Sequence, residues 1–251
     1  MTGALVVRGL SKSFGGVRAV VDVDLEVTPG QVHSLIGPNG AGKTTLFNCI
    51  AGVLPPNSGQ VMLNGRDVTG WPPHRLVSAG MARTYQVTKV FGDLTVYENV
   101  ALAVRSKNGE NRVLWRRADS SGGGRPEVLT ILERLGLSER ANAQADHLAH
   151  GEKRVLEIAI AMGLCPRVLL LDEPTAGMSS GETEQIARLI RNLAAQATVL
   201  LVEHDMDIVL GISDVVTVMT QGSVIATGSP ADVSRNARVQ SAYLGTARGH
   251  A

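Results

Sequence analysis

The sequence predicts an α/β fold built on a largely parallel sheet. Short apolar segments at 168–171 and 198–202 read as strands. Helical segments are predicted from about 181 to 196 and again from Met206. Strands and helices that alternate at these lengths are typical of a parallel sheet covered on both faces. The composition agrees, because 44% of the 251 residues are hydrophobic and 3% are aromatic, as in many soluble α/β proteins.

The part of the chain before these elements is predicted to form strands first and helices later. Apolar segments within residues 5–63 are short and separated by turns, and Asn64-Gly65 is a typical hairpin signal. Between residues 72 and 166 the apolar positions follow a helical period, which predicts an inserted helical lobe. Residues 105–125 are mostly polar, and we expect either a mobile loop or a contact with a partner there.

Charge and cysteine content narrow the function classes. Lys and Arg total 24 against 23 Asp and Glu, so the chain lacks the basic excess of a nucleic-acid-binding protein. The apolar runs are far shorter than the roughly 20 residues of a membrane span, and the N-terminus does not read as a signal peptide. Cys49 and Cys165 are isolated in predicted helical contexts, where we expect packed, reduced thiols and no metal cluster.

Residues 37–45, Gly-Pro-Asn-Gly-Ala-Gly-Lys-Thr-Thr, fit the phosphate-binding pattern G-x-x-x-x-G-K-[ST]. A predicted strand at 31–36 precedes them and a predicted helix follows, which is the context that the pattern requires. Lys43 would reach the β- and γ-phosphates, and Thr44 would offer a hydroxyl to Mg²⁺. The alternative is a glycine-rich turn with an incidental lysine. The residues predicted to bind the triphosphate are Gly37, Asn39, Gly40, Ala41, Gly42, Lys43, Thr44 and Thr45.

Three polar residues follow predicted buried strands and are therefore expected at the ligand-binding edge of the sheet. Asp172 and Glu173 end the strand at 168–171, and His204 follows the strand at 198–202. Asp172 would hold the Mg²⁺ hydration shell, while Glu173 would accept a proton from, or orient, the water that attacks the γ-phosphate. His204 can donate to a terminal phosphate oxygen. A solvated strand end is the alternative interpretation of the two carboxylates.

A further helix is predicted to begin near His150 or Gly151, because Val155, Ile158 and Met162 form an apolar stripe behind it. The first turn of such a helix exposes unpaired N–H groups and can bind an anion. Every helix has such an end, so this feature alone decides nothing.

Taken together, these motifs resemble those of the ATP-binding cassette (ABC) ATPases, in the family's order over nearly the whole chain. The resemblance implies a P-loop NTPase fold with a RecA-like parallel-sheet core, an N-terminal antiparallel β subdomain and an inserted α-helical subdomain. The core with its β subdomain would comprise residues 1–85 and 166–251, and the helical signature subdomain residues 86–165, within a single ABC domain.

The resemblance also implies residue roles and cofactors. ATP and Mg²⁺ would bind at Walker A (37–45) and Walker B (168–172), with Glu173 as the catalytic glutamate and His204 as the switch histidine. Phe14 would stack on adenine. The implied Mg²⁺ ligands are Thr44, the Q-loop glutamine Gln86, and Asp172.

The predicted helix start at 148–152 occupies the place of the family's signature sequence L-S-G-G-Q, which completes the ATP site of the opposite subunit in a head-to-tail dimer. The corresponding residues are Ala149, His150, Gly151 and Glu152. Ala149 replaces the signature serine, and one lost charge-assisted hydrogen bond of about 1.5 to 3 kcal/mol predicts a weaker site. Ser179 stands where many relatives have the D-loop aspartate, which predicts weaker communication across the dimer.

Several stretches resemble the ATPases of branched-chain amino acid (Liv-type) importers. This implies a second ABC ATPase in a heterodimer, two transmembrane permease subunits, an external solute-binding protein, and a peripheral location on the cytoplasmic face of the cell membrane. The coupling helices of the permeases are expected to contact Val90 and Phe91, although a packed aromatic is an equal alternative. The stretches that carry this resemblance are 14–20, 46–48, 80–86, 94–100, 176–178 and 242–245.

The sequence leaves three function classes open. The first is an importer ATPase, for branched-chain amino acids or for urea and short amides. The second is a non-transport ABC ATPase that acts on nucleic acid, but the chain lacks the coiled coils and basic extensions typical of that class. The third is a nucleotide-binding regulatory module with little turnover, favoured by Ala149 and Ser179 and opposed by Glu173 and His204.

Overall fold

A computed structural model describes residues 3–84, 90–108 and 125–247 of the chain. Its strands form two sheets, and its helices pack around the larger one. The strands are β1 (Leu5–Phe14), β2 (Val17–Val27), β3 (Val32–Ile36), β4 (Ser58–Leu63), β5 (Arg66–Asp67), β6 (Met81–Arg83), β7 (Val168–Asp172), β8 (Thr198–Val202), β9 (Val215–Thr220) and β10 (Ser223–Gly228). The helices are α1 (Lys43–Ile50), α2 (Pro73–Ser78), α3 (Val96–Lys107), α4 (Arg125–Arg134), α5 (His150–Gly163), α6 (Ser180–Leu193), α7 (Met206–Ile212), α8 (Pro230–Arg235) and α9 (Ala237–Ala247).

The larger sheet has the strand order β10-β9-β3-β8-β7-β6. The five strands from β9 to β6 run parallel, and β10 pairs antiparallel with β9. Every residue of β3, β7 and β8 is buried, because helices or the second sheet cover both faces. The prediction of a largely parallel sheet is confirmed.

The smaller sheet is antiparallel, with the order β2-β1-β4-β5. Asn64 and Gly65 connect β4 to β5 with φ angles of 49° and 79°, as a two-residue hairpin turn requires, so the predicted hairpin is confirmed. A hydrophobic core that includes Leu35, Leu46 and Phe47 fills the space between the two sheets and α1. The smaller sheet therefore packs directly against the segment that follows β3.

The helical lobe is smaller than the sequence predicted. Within residues 72–166, β6 is a strand of the large sheet and pairs with β7, so helical periodicity was wrong for that segment. The helices α3, α4 and α5 pack on one another around Val100, Leu132 and Leu156. Most of the polar stretch 105–125 lies outside the described residues.

The two cysteines differ in their surroundings. Cys49 is buried in α1, as predicted. Cys165 is exposed and lies beyond the end of α5 with φ at 48°, so the expectation of a packed helical thiol was wrong there. No helix in the described part of the chain is long and apolar enough to span a bilayer.

Candidate functional site

The loop between β3 and α1 has a backbone that only glycine fits at two points. Gly37 has φ at 154°, and a Cβ there would lie 2.2 Å from the carbonyl oxygen of Met219. Gly42 caps α1 with φ at 98°, and its Cβ would lie 2.3 Å from the carbonyl oxygen of Ala19. The loop is thus wedged between β2 and β9, and its N–H groups and the first turn of α1 form an anion-binding concavity.

Lys43 folds back onto this loop. Its Nζ donates to the carbonyl oxygens of Gly37 at 2.6 Å and Pro38 at 3.1 Å. Burial lowers the pKa of Lys43, while the negative charge of Glu173 opposes that shift. Thr44 is exposed and Thr45 half-buried in the first turn of α1. A phosphate group would compete with the two carbonyls for the lysine ammonium.

Asp172 ends β7 as a buried carboxylate. Arg83, at the end of the neighbouring strand β6, donates to its Oδ2 at 2.9 Å and to Asn48 Oδ1 at 2.6 Å. The Arg83 guanidinium also lies 4.8 Å from the centre of the Phe47 ring. Sequence reasoning did not single out Arg83, because nothing in a three-residue strand marks a partner for Asp172.

Glu173 and His204 follow the adjacent strands β7 and β8, and the structure brings them together as expected. Nδ1 of His204 lies 4.0 Å from Oε1 of Glu173, and the His204 side chain is 61% exposed. Glu173 adopts a left-handed backbone with φ at 44°, while its N–H donates to Val202 O at 2.9 Å. A buried turn therefore aims a partly exposed carboxylate at the loop edge where the phosphates would lie.

Arg154 of α5 reaches into the turn after β7, a contact that the sequence did not reveal. Its Nη2 donates to the carbonyl oxygens of Asp172 at 2.8 Å and Glu173 at 2.7 Å. Nε donates to Pro174 O at 3.1 Å, and Nη1 pairs with Glu157 at 2.7 Å. One buried guanidinium thus holds three successive carbonyl groups around Glu173.

The start of α5 is stabilised without a side-chain acceptor at its first position. Ala149 is the N-cap, and its N–H donates to Glu152 Oε2 at 3.0 Å. This hydrogen bond, followed by the contact with Arg140 at 2.8 Å, lowers the pKa of Glu152. Nε2 of His150 lies 3.4 Å from Ala176 O. The reciprocal half of a capping box is missing, because alanine carries no hydroxyl.

Two further predicted site residues stand apart from these contacts. Phe14 is 48% exposed at the end of β1, where Lys12 Nζ lies 5.3 Å from its ring centre. Its strand pairs with β2, which places Ala19 against Gly42 of the phosphate loop. Gln86 lies outside the described residues.

The sequence matches known proteins over nearly its full length. A family model described as ABC transporter matches residues 20–176, and one described as branched-chain amino acid ATP-binding cassette transporter matches residues 223–248. The chain is 44% identical to the high-affinity branched-chain amino acid transport ATP-binding protein LivG of Escherichia coli (strain K12), covering 97% of this chain and 98% of that protein. The chain belongs to the ABC transporter family of ATP-binding proteins.

Other members of the ABC family agree with this assignment. BraF of Pseudomonas aeruginosa, also named a high-affinity branched-chain amino acid transport ATP-binding protein, is 41% identical over 97% of this chain and 98% of its own length. The ADP conformation of MJ1267, an ATP-binding cassette of an ABC transporter, superposes with a TM-score of 0.85 at 31% identity, covering 98% of this chain and 100% of that one. A nucleotide-free ATP-binding cassette from an ABC transporter gives 0.83 at 31% identity, with 96% and 98% covered.

The ABC ATPase fold predicted from the motifs is confirmed by these structures. As an ABC ATPase, the chain binds nucleotide and hydrolyses ATP as the ATP-binding subunit of a transporter.

Proposed function

We propose that the chain is the ATPase subunit of an importer of branched-chain amino acids. The observation that carries this proposal is the 44% identity to LivG over nearly the whole of both chains. The match of residues 223–248 to a model of branched-chain amino acid cassettes supports it, because those residues include β10, α8 and α9 beyond the general ABC match.

The contacts of Lys43 and Asp172 support an ATP site on the phosphate loop. When ATP binds, the Lys43 ammonium leaves the carbonyls of Gly37 and Pro38 for the β- and γ-phosphates. The adenine stacks on the exposed ring of Phe14. The loop N–H groups and Thr45 hold the remaining phosphate oxygens.

The residues present fit Mg²⁺, which prefers hard oxygen ligands and keeps several waters. Thr44 is an exposed residue with a hydroxyl after β3, and Asp172 offers a buried carboxylate at the end of the parallel strand β7, at the same edge of the sheet. Gln86 is proposed as the third residue that holds it. When bound, Mg²⁺ neutralises charge on the transferring phosphoryl group.

Glu173 is proposed as the general base. Its carboxylate takes the proton of the attacking water. His204 Nδ1 lies 4.0 Å from Oε1 of Glu173, which places both side chains at the same edge of the sheet. His204 donates to the γ-phosphate.

The N-terminus of α5 is proposed to serve a second ATPase subunit. Ala149, Gly151 and Glu152 line a cleft with Glu182 and Gln185 of α6, apart from this chain's phosphate loop. A head-to-tail heterodimer would place His150, Gly151 and Glu152 against the partner's ATP. We further propose the division into a core of 1–85 with 166–251 and a helical subdomain of 86–165.

Two features support a site for the two permease subunits. Phe91 is 63% exposed, which favours a contact over a packed aromatic. A groove between α2, β6 and α5 is lined mainly by apolar side chains. Because residues of both α2 and α5 line it, a permease helix in this groove would contact both elements. The complex would lie at the cytoplasmic face of the membrane and receive solute from an external binding protein. The apolar residues that line the groove between α2, β6 and α5 include Pro73, Leu76, Val77, Ile160 and Leu164.

The test is purification of the full chain, tagged, from native membranes in mild detergent, followed by reconstitution of the recovered complex into vesicles. We expect a second ABC ATPase and two polytopic subunits, and ATP-dependent uptake of radiolabelled leucine. Uptake of urea or acetamide in place of leucine would overturn the substrate, and recovery of nucleic-acid-binding partners would overturn the transport role.

A further inference from the structure

Glu203 is a buried carboxylate that joins the two strand ends of the site. Its side chain is 0% exposed at the end of β8. Oε1 accepts hydrogen bonds from the N–H of Thr175 at 3.2 Å and from its hydroxyl at 2.5 Å. Oε2 accepts from the backbone N–H of His204 at 3.1 Å. Each oxygen of one rigid carboxylate therefore holds a different loop.

A buried charge is unfavourable unless hydrogen bonds and nearby positive charge compensate it. The Glu203 carboxylate accepts hydrogen bonds from the N–H and hydroxyl of Thr175 and from the N–H of His204. Nδ1 of the His204 ring lies 3.7 Å from its Oε2. An apolar side chain would complete the buried strand β8 at a lower desolvation cost. The carboxylate is thus placed where it links the two loops and not where it best stabilises the core.

The loop that Glu203 holds contains Glu173 in an unfavourable conformation. A left-handed backbone at a residue with a Cβ persists only where the surroundings fix it, and Glu173 has φ at 44°. Val202 O fixes its N–H at 2.9 Å, and Arg154 fixes its carbonyl oxygen at 2.7 Å. Two residues further along, Thr175 is fixed by Glu203.

We propose that Glu203 is a positioning residue for ATP hydrolysis, one that holds the Glu173 turn and the His204 backbone as a single unit. This inference rests on the roles proposed above for Glu173 and His204. Without the link, the general base and the phosphate-contacting histidine move independently, and the geometry for attack by water is populated less often. The hydrogen bonds of Glu203 go to Thr175 and His204, while Lys43 and the loop N–H groups are proposed to bind ATP, so the link acts on turnover.

The test compares variants of the full chain purified with its membrane partners. Thr175→Val removes the hydroxyl at nearly constant volume, and Thr175→Ser keeps it. Glu203→Gln keeps the shape of the side chain, but its amide has a single oxygen acceptor. The NH₂ group must therefore face a backbone or hydroxyl donor of Thr175 or the N–H of His204, and the hydrogen bond on that side is lost. We expect kcat to fall about tenfold in Thr175→Val and at least as far in Glu203→Gln, with KM for ATP within about twofold and Thr175→Ser near wild type.

The double variant Glu203→Gln with Thr175→Val should be no slower than the slower single variant, because both remove one link. If urea unfolding shows that Glu203→Gln does not fold, the comparison of Thr175→Val with Thr175→Ser tests the inference by itself. Wild-type kcat in Thr175→Val, equal loss in Thr175→Ser, or a loss confined to KM would each overturn the inference.

Glu173→Gln, purified in the same way, distinguishes a failure of the roles proposed for Glu173 and His204 from a failure of the role proposed for Glu203. If Glu173→Gln retains turnover, the roles proposed for the site fail and the inference fails with them. If Glu173→Gln stops turnover while Thr175→Val turns over normally, only the role of Glu203 is overturned.

Discussion

The guanidinium of Arg154 lies 2.7 Å from the carbonyl oxygen of Glu173, so a side chain of α5 holds the backbone of the proposed general base. The same helix begins at His150, in the signature segment proposed to contact the partner's ATP. If closure of the proposed dimer displaces α5, the backbone of Glu173 would therefore be displaced with it. The link runs through one rigid, buried side chain.

Arg154→Lys tests this link while it keeps the positive charge. Lysine lacks the planar fork that reaches three carbonyls and Glu157 together, so at least one of these contacts is lost. We expect a loss of about 2 kcal/mol in unfolding free energy and about tenfold in turnover. Urea unfolding and phosphate release measure the two effects. Arg188→Lys, at a side chain 67% exposed, is the control, and equal behaviour of both variants would refute the link.

Glu173→Gln tests the assignment of the general base. The amide cannot take a proton from water, and removal of a general base slows turnover by about 10²- to 10⁴-fold. ATP binding should be retained, because Lys43 and the loop are unchanged. Phosphate release and equilibrium binding of ATP are compared with those of Glu184→Gln, an exposed carboxylate on α6. Turnover unchanged in Glu173→Gln would remove this residue from the role.

Most of the site could be predicted from the sequence because its residues lie in local patterns. A glycine-rich loop after an apolar strand fixes Gly37, Gly42 and Lys43, and parallel strands of similar length bring Glu173 and His204 to one edge. These predictions need only the direction of the strands and the spacing of apolar residues along the chain.

The residues that hold the site in place escaped prediction because their partners are distant in sequence. Arg83 pairs with Asp172, and Glu203 pairs with Thr175, across strands that the sequence does not align. A charged residue directly after five buried positions of β8 was the available signal for Glu203. Helical periodicity failed at β6 because three residues are too few to show a period of two.

Ala149→Ser tests the departure from the signature sequence. Ala149 already has the extended backbone of an N-cap, with φ at −62° and ψ at 161°, and Glu152 already accepts its N–H. A serine hydroxyl would complete the capping box, so we expect the unfolding free energy to rise by about 1 kcal/mol. Urea unfolding measures it. Ala195→Ser, exposed beyond the end of α6, should give no gain, and a gain equal in both variants would contradict capping as the cause.

The stability of the protein should fall with acid through His33. Its ring is buried in β3, where Nε2 lies 2.8 Å from Thr217 Oγ1, and burial lowers its pKa from 6.5 to about 4. The folded state then binds fewer protons than the unfolded state between these two values. The stabilisation is complete above pH 6.5 and is lost as the pH falls to 4, by about 3 kcal/mol in total.

His33→Gln removes this titration, and the comparison isolates it from the carboxylates that titrate in the same range. Urea unfolding at pH 7, 5.5 and 4.5 should give a steeper loss for wild type than for His33→Gln. His74→Gln changes an exposed histidine of α2 in place of the buried one and should keep the wild-type slope. If His33→Gln keeps that slope as well, the buried ring does not carry the acid sensitivity.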